Sequence, residues 1–494
     1  MNFQLLKLLL GLIFAIVAVI FAISHSFVLF ISLISTLLLM AYFVVLLEFS
    51  KKKKGVRLGA NIRIPFYFVF SMLLVPIIVT IFYTFELSLD GKSIYSIIVA
   101  FGMSLTFLYS FVNLPLAIYH KRIETEIPEP LVKPLVTIIV PAFNEQASLK
   151  HTIESLIECD YPNKQILIVD DGSTDRTYEI ANSFAQKISN GKFMVIRKEN
   201  GGKSSAINYG LQFANGDIVV ILDADSIIGR DALKELVKYF QYPDVVAVGG
   251  NIKASNRCSI ITNCQALEYL IGINLFKRAF DIFGTVMVVP GALGAFRKSA
   301  LIERGEYDKD TLTEDFDATI KLLKSGRSVQ GSSFALSYTE APSTLKDLYK
   351  QRIRWYRGNL QTLVKHRDII TSKKNRLLNS YAFPVSLLTM LLLPLLGIIV
   401  SAVTILALLN GEGMSILLFF SLFVCMQVVL SAIAITMDDE DWKLLIYSPL
   451  FVVGYKQIID ILTLKSILDV IIFKKNLKWT SPKRIGYVKK NNVV

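Results

Sequence analysis

Hydrophobic positions along this chain fall into long unbroken runs at both ends and short runs in the middle. Apolar stretches at 5–23, 27–49, 65–85 and 94–119 open it. Each approaches or exceeds the roughly 20 residues a helix needs to cross a bilayer core. The first resembles a signal peptide in having Lys7 before an apolar run. No small-residue cleavage site follows, and the next run begins after Ser24-His25-Ser26, so the pattern predicts a helical hairpin. Beyond Glu129-Pro130 and Lys133-Pro134, which mark a linker, the period changes. Short β-branched runs at 136–140, 165–169, 193–197, 218–222 and 245–249 alternate with amphipathic helix candidates at 147–158, 175–188, 204–213 and 230–239. Continuous apolar strands separated by helices predict an α/β domain whose mostly parallel sheet is covered on both faces.

The pattern then turns amphipathic over 345–367, where lysines and arginines alternate with Leu348, Tyr349, Ile353, Trp355, Tyr356 and Leu360, as suits a membrane surface. Residues 383–409 and 414–437 form a second apolar hairpin. Residues 444–473 are long enough to cross, but Lys456, Asp460, Lys465 and Asp469 interrupt them, and a single crossing would put the basic tail outside. A re-entrant or interfacial excursion fits better. The expected organisation is four transmembrane helices (1–127), an α/β domain (128–344), interfacial helices (345–380), further transmembrane or re-entrant helices (381–475) and a basic tail (476–494).

Composition agrees with a mixed membrane and globular chain: 53% of the 494 residues are apolar and 19% charged, with mean hydropathy +0.50. The net charge of +13 comes from clusters beside apolar segments, which reads as the positive-inside rule rather than nucleic acid binding. With the N-terminus inside, Lys51–Arg57 and Lys121-Arg122 also fall inside, and the α/β domain is cytoplasmic. The four cysteines show no CxxC spacing and the four histidines are scattered, so a zinc site has no support.

Four polar motifs and one glycine-rich stretch bear on chemistry. In doubly covered sheets, ligands bind beyond the carboxyl ends of strands, and two acidic motifs sit there. Asp223-Ala224-Asp225 follows the 218–222 run; its carboxylates are hard ligands for Mg²⁺ or Mn²⁺ beside a diphosphate, although a solvated turn has the same composition. Asp170-Asp171-Gly172-Ser173 follows the 165–169 run. It is a capped turn, or it gives one carboxylate to a uracil N–H and leaves the other near the metal. Asn200-Gly201-Gly202-Lys203-Ser204 lacks the first glycine of a phosphate loop, since Arg197 stands there; Lys203 remains a nucleotide contact at a helix start. Thr313-Glu314-Asp315 reads as a helix cap with acids in the first turn, or as the carrier of a general base, Asp315, with Glu314 beside it. In Gln351-Arg352-Ile353-Arg354-Trp355, a helix puts Gln351, Arg354 and Trp355 on one face. Arg354 can brace a diphosphate, and Trp355 can stack on a sugar or anchor the segment at the interface.

The order Val136–Glu145, Asp170–Ser173, Asp223–Asp225, Thr313–Asp315 and Gln351–Trp355 resembles the processive family 2 glycosyltransferases, the group of cellulose, chitin, hyaluronan and poly-N-acetylglucosamine synthases. Gly291–Arg297 is most similar to the poly-N-acetylglucosamine and chitin-type branch, where this loop lies near the sugars, and Trp479 has a counterpart there. The resemblance implies a GT-A nucleotide-sugar domain embedded between transmembrane helices. It implies inverting transfer from a UDP-sugar, with UDP-N-acetylglucosamine the best match, to a growing β-linked polysaccharide that crosses the bilayer. It implies a donor site of Pro141, Asn144, Glu145, Asp170, Asp171, Lys203, Asp223, Gln351 and Arg354, an acceptor site of Trp355, Gly291 and Ala292, a metal at Asp223 and Asp225, and Asp315 with Glu314 at the catalytic centre. The four N-terminal spans exceed the two common in that branch, which leaves the first hairpin to an accessory membrane subunit or to a differently built channel. A non-processive transferase acting on a polyprenyl phosphate shares the first three motifs but generally lacks Gln-x-x-Arg-Trp. A transporter with a nucleotide-sensing domain gives no reason for Asp315 and Trp355 to accompany the acidic motifs.

Overall fold

Val136–Ala142 (β1) is buried along its whole length, as expected of an apolar run with strands on both sides and helices on both faces. The computed structural model describes residues 94–188, 192–371, 375–411 and 413–473. The apolar stretches expected at 5–23, 27–49 and 65–85 and the basic tail lie outside the described residues. In chain order the elements are α1 (Ile94–Glu124), β1, α2 (Leu149–Glu158), β2 (Lys164–Asp170), α3 (Thr177–Lys187), β3 (Phe193–Arg197), α4 (Lys203–Phe213), β4 (Ile218–Ile221), β5 (Ser226–Ile228), α5 (Ala232–Val237), β6 (Val245–Ala254), α6 (Ile260–Glu268), α7 (Phe276–Asp281), β7 (Gly294–Arg297), α8 (Lys298–Glu303), α9 (Glu314–Leu323), β8 (Ser328–Thr339) and α10 (Leu345–Lys365). Then come α11 (Leu378–Leu409), α12 (Gly413–Met437) and α13 (Trp442–Ile472).

The eight strands form one sheet in the order β3-β2-β1-β4-β7-β6-β8-β5. The expectation of a mostly parallel sheet holds for one half. Pairs β3–β2, β2–β1 and β1–β4 are parallel. On the other side β4–β7, β7–β6 and β8–β5 are antiparallel, and only β6–β8 is parallel. The sheet is therefore mixed. Two strands run backwards, β5 at the edge and β7, a four-residue strand between β4 and β6. Its sequence Gly-Ala-Phe-Arg carries no β-branched residue and no alternation, so it gives no strand signal. The serine-rich β8 is silent for a similar reason.

The parallel half positions the chemistry. Ala142 pairs with Asp170 and Ile139 with Ile221, so β1, β2 and β4 end at one edge. The loops that follow hold Asn144, Asp171 and Asp223 side by side, with β2 and β4 about 10 Å apart.

Two described helices, α11 and α13, are long and apolar enough to cross a membrane. α13 is broken: Val453 and Gly454 leave helical geometry, Gly454 with φ +100°. The α/β domain is tied to α1 and to the end of α12 by buried charge. Glu124 accepts from Tyr239 Oη (2.7 Å) and Ser333 N (2.6 Å), and His120 Nε2 lies 2.7 Å from Asp281. Arg278 pairs with Asp438 just beyond α12. Breaking one partner of a buried pair strands the other, so such joints resist sliding.

Candidate active site

The acidic loops meet at Lys203, the first residue of α4. Its Nζ lies 2.6 Å from Asp223 Oδ1 and 2.9 Å from Glu314 Oε1. Asp315 acts on it as well, and the three carboxylates hold the half-buried ammonium's pKa well above the usual lysine value against the opposing effect of desolvation. Gly291 closes the ring. Its carbonyl accepts from Asp223 N at 3.0 Å, and its N–H donates to Asp315 Oδ2 at 3.3 Å. A Cβ at Gly291 would stand 2.5 Å from Lys203 Nζ and 3.3 Å from Asp223 Oδ1, so glycine is what lets this backbone approach the charges. Asp223, Lys203, Gly291, Glu314 and Asp315 thus share one site, with buried Ala292 next in the chain.

Asp315 stands in the first turn of α9. Burial, and then the Glu314 charge beside it, push its pKa up to about 6, while Lys203 and the N–H groups of Phe316 and Gly291 pull the other way. A carboxylate raised toward neutrality and still within reach of a reacting group has the properties of a general base.

Asp170 and Asp171 do a different local job. Asp171 accepts from Lys198 Nζ (2.6 Å), Gly201 N (3.1 Å) and Gly202 N (2.7 Å). Asp170 pairs with Arg197 Nε at 3.0 Å and accepts from Ser173 N at 3.3 Å. The pair therefore shapes the loop that delivers Lys203. Across the same edge, Asn144 holds φ +57°, its Oδ1 accepting from Thr174 N at 2.9 Å. Glu145 N donates to Thr177 Oγ1 at 2.8 Å. Pro141 is in β1, opposite Val169. These contacts stitch the β1 and β2 loops into one wall.

Helix α10 is pinned to the start of α9. Thr313 Oγ1 and Thr362 Oγ1 are 3.4 Å apart, and His366 Nε2 lies 2.8 Å from Asp317 Oδ1. Arg354 lies one helical turn, about 6 Å, before Gly358, which packs directly on Thr313. This ties α10, the helix that carries Gln351–Trp355, to the Thr313–Asp315 motif. Gln351 is buried, and Arg354 and Trp355 are half-buried.

Sequence reasoning passed over Arg352. It is fully buried, 2.6 Å from Glu268, and its guanidinium carbon lies 4.3 Å from the centre of the Trp355 ring. The signal was present: Arg352 and Trp355 are i and i+3 on one helix.

The donor set suits a hard divalent cation. Asp223 and Asp225 leave β4 two residues apart, Asp225 buried, and three carboxylates face Lys203's single positive charge, an excess that a cation would relieve. Asp308, Asp310 and Asp317 also lie close enough together to hold an ion. Their shared position is filled by Lys365 Nζ, 2.7, 2.8 and 3.0 Å from the three carboxylates, so the cation there is the protein's own.

Residues 137–305 match the family described as Glycosyl transferase family 2. The chain is 33% identical over 242 residues to the poly-beta-1,6-N-acetyl-D-glucosamine synthase of Staphylococcus aureus strain COL, covering 49% of this chain and 58% of that one. It is 33% identical over 247 residues to the synthase of that name from Staphylococcus epidermidis, covering 50% and 59%. The matched region thus spans under two thirds of these relatives. Among solved structures, the mannosyltransferase PcManGT from Pyrobaculum calidifontis, in complex with GDP-Man and Mn²⁺, aligns with a TM-score of 0.49 at 20% identity, over 74% of this chain and 100% of that one. Residues 137–305, which hold the mixed sheet from β1 through β7, are thus the part of the chain that is similar to glycosyl transferase family 2.

Proposed function

We propose that the chain is a membrane-embedded, inverting, processive polysaccharide synthase. It takes sugar from a UDP-sugar, UDP-N-acetylglucosamine first among them, and extends a β-linked chain that passes across the bilayer. The observation that carries this reading is Asp315: a carboxylate whose pKa is raised to about 6 by desolvation and the Glu314 charge, set against Gly291 N, in a motif that packs on Gly358, one turn of α10 beyond Arg354. The curated relatives are named for poly-β-1,6-N-acetylglucosamine synthesis, which supports the donor and the polymeric product.

In this mechanism the donor lies across the wall of Pro141, Asn144, Glu145, Asp170 and Asp171, with its diphosphate toward Lys203, Gln351 and Arg354. The acceptor sugar rests on Trp355 beside Gly291 and Ala292. Asp315 takes the proton of the acceptor hydroxyl, with Glu314 keeping its pKa high enough for that work. The hydroxyl oxygen bonds to the anomeric carbon from the face opposite UDP. The bond from that carbon to the diphosphate oxygen breaks, and UDP leaves with the electron pair. Lys203 and Arg354 stabilise the charge that grows on the leaving diphosphate, where fixed electrostatics contribute most. Asp223 and Asp225 would hold Mg²⁺ or Mn²⁺, whose chemistry is Lewis-acid support of that diphosphate. The catalytic domain is cytoplasmic, with α11 and α12 among the helices that anchor it, and the apolar N-terminal hairpin is available to an accessory membrane subunit.

The experiment is to incubate the purified full chain in nanodiscs with a panel of UDP-sugars and Mg²⁺ or Mn²⁺, following UDP release and product size. Release with one UDP-sugar and a ladder of long products supports the reading. A single sugar added to a polyprenyl phosphate, with no ladder, replaces it with lipid glycosylation.

A further inference from the structure

Arg352 is the odd residue of α10. Its charged side chain is 0% exposed, where an apolar residue would fill the space without desolvating a charge. Three separate parts of the chain converge on its guanidinium. Glu268, the last residue of α6, accepts from Nη2 at 2.6 Å, and Tyr455, directly after the break in α13, lies 3.4 Å from the same nitrogen. Tyr455 Oη also donates to Glu268. Nη1 donates to Gln351 Oε1 at 3.2 Å. The guanidinium carbon lies over the Trp355 ring, 4.3 Å from the centre, and over the Tyr269 ring at 5.9 Å.

Only a planar fork can do all of this at once. A lysine ammonium could keep the contact with Glu268, but it is a point charge on a flexible stem, and it would release either the Gln351 amide or the Trp355 ring. Two residues of the Gln351–Trp355 motif are therefore oriented by a third that lies between them in sequence and behind them in space. The Glu268 and Tyr455 anchors connect that orientation to α6 and α13, outside the helix that carries the motif.

We propose that Arg352 is the positioning residue of the acceptor platform: held by Glu268 and Tyr455, it sets the Trp355 ring and the Gln351 amide in one pose. This inference rests on the reading of Trp355 as the surface on which the acceptor sugar lies. Misplacing a reacting partner by about 1 Å costs on the order of a hundredfold in rate. Loss of the pose falls on chain extension, which needs the acceptor sugar in register. The slow transfer of the donor sugar to water needs no such register.

The test uses the full chain labelled with 5-fluorotryptophan. Its three tryptophans give three ¹⁹F resonances, and Trp355→Phe identifies the one from Trp355. Arg352→Lys, Glu268→Gln and the double variant Arg352→Met with Glu268→Gln are compared with wild type. The double variant removes both charges of the pair together, so a fold lost to one stranded charge in a single variant does not hide the answer. The expected result is a shifted or broadened Trp355 resonance, shorter products, and elongation reduced on the order of tenfold more than donor hydrolysis. An unmoved resonance, or equal loss of elongation and hydrolysis, overturns the proposal and leaves Arg352 a packing residue. Normal elongation by Trp355→Ala overturns the platform reading itself; that failure is told apart because the resonance still moves in Arg352→Lys.

Discussion

Gly358 of α10 lies so close to Thr313 that a Cβ on it would stand 2.8 Å from the Thr313 backbone nitrogen and 2.7 Å from its Cγ2. The helix bearing Arg354 and Trp355 touches the motif bearing Asp315 at that point. Backbone cannot step aside as a flexible side chain can. Gly358→Ala is expected to separate α10 from α9, costing about 1–3 kcal/mol, as overpacking does, and lowering transfer by more than the loss of folded protein explains. Thermal unfolding and UDP release on the same preparation measure both. Unchanged values for both would show that the two helices can part without consequence.

Asp315 dictates the acid side of the pH profile. With its pKa raised to about 6, it is mostly ionised at pH 7 and mostly protonated at pH 5. Protonation removes the base, so the rate at saturating donor should fall as pH drops through about 6. Asp315→Asn should lose on the order of 10²- to 10⁴-fold in rate while UDP-sugar affinity stays near wild type. A variant that transfers sugar normally would remove Asp315 from the chemistry.

Lys203 and Asp315 are linked in sign. Lys203 lowers the Asp315 pKa, so Lys203→Met should raise it and move the acidic limb of the pH–rate profile to higher pH. The same change strips a cation from the diphosphate site, so the KM for donor should rise as well. An acidic limb that stays in place would mean that Lys203 and Asp315 are not electrostatically coupled in the working enzyme.

Asp225→Asn keeps the shape of a buried side chain but removes its charge. Turnover is expected to fall by orders of magnitude and to need more Mn²⁺ for half-activation, as when a metal site loses an anionic ligand. Wild-type protein in excess chelator should be equally inactive and recover on adding Mg²⁺ or Mn²⁺. Activity in chelator would remove the metal from Asp223 and Asp225.

Much of this was written locally. Four of the five β-branched runs, those of β1, β2, β4 and β6, are apolar because a strand buried on both faces must be, while β3 is a half-buried edge strand. The acidic motifs fall at the ends of β2 and β4 because polar residues cannot continue such a run. Gln351–Trp355 is helical in a 21-residue helix, as its period predicted. β7 was not legible: four residues of Gly, Ala, Phe and Arg become a strand only because β4 and β6 lie on either side to pair with them. Its insertion breaks the parallel run between β4 and β6, and the loop before it sets Gly291 against Lys203.

The sequence by itself determined which residues could do chemistry, because side-chain type and strand-end position are local properties. It left open what each carboxylate does, since that depends on neighbours far along the chain. Asp170 and Asp171 look like Asp223 and Asp225 on paper. In the fold the first pair is taken up by Arg197, Lys198 and the N–H groups of Gly201 and Gly202, while Asp223 meets Lys203, Gly291 and, through Lys203, Glu314. Arg352 shows the same division. Its spacing to Trp355 is local, but its burial against Glu268 and Tyr455, 84 and 103 residues away, comes only when three distant segments pack together and exclude water from the charge.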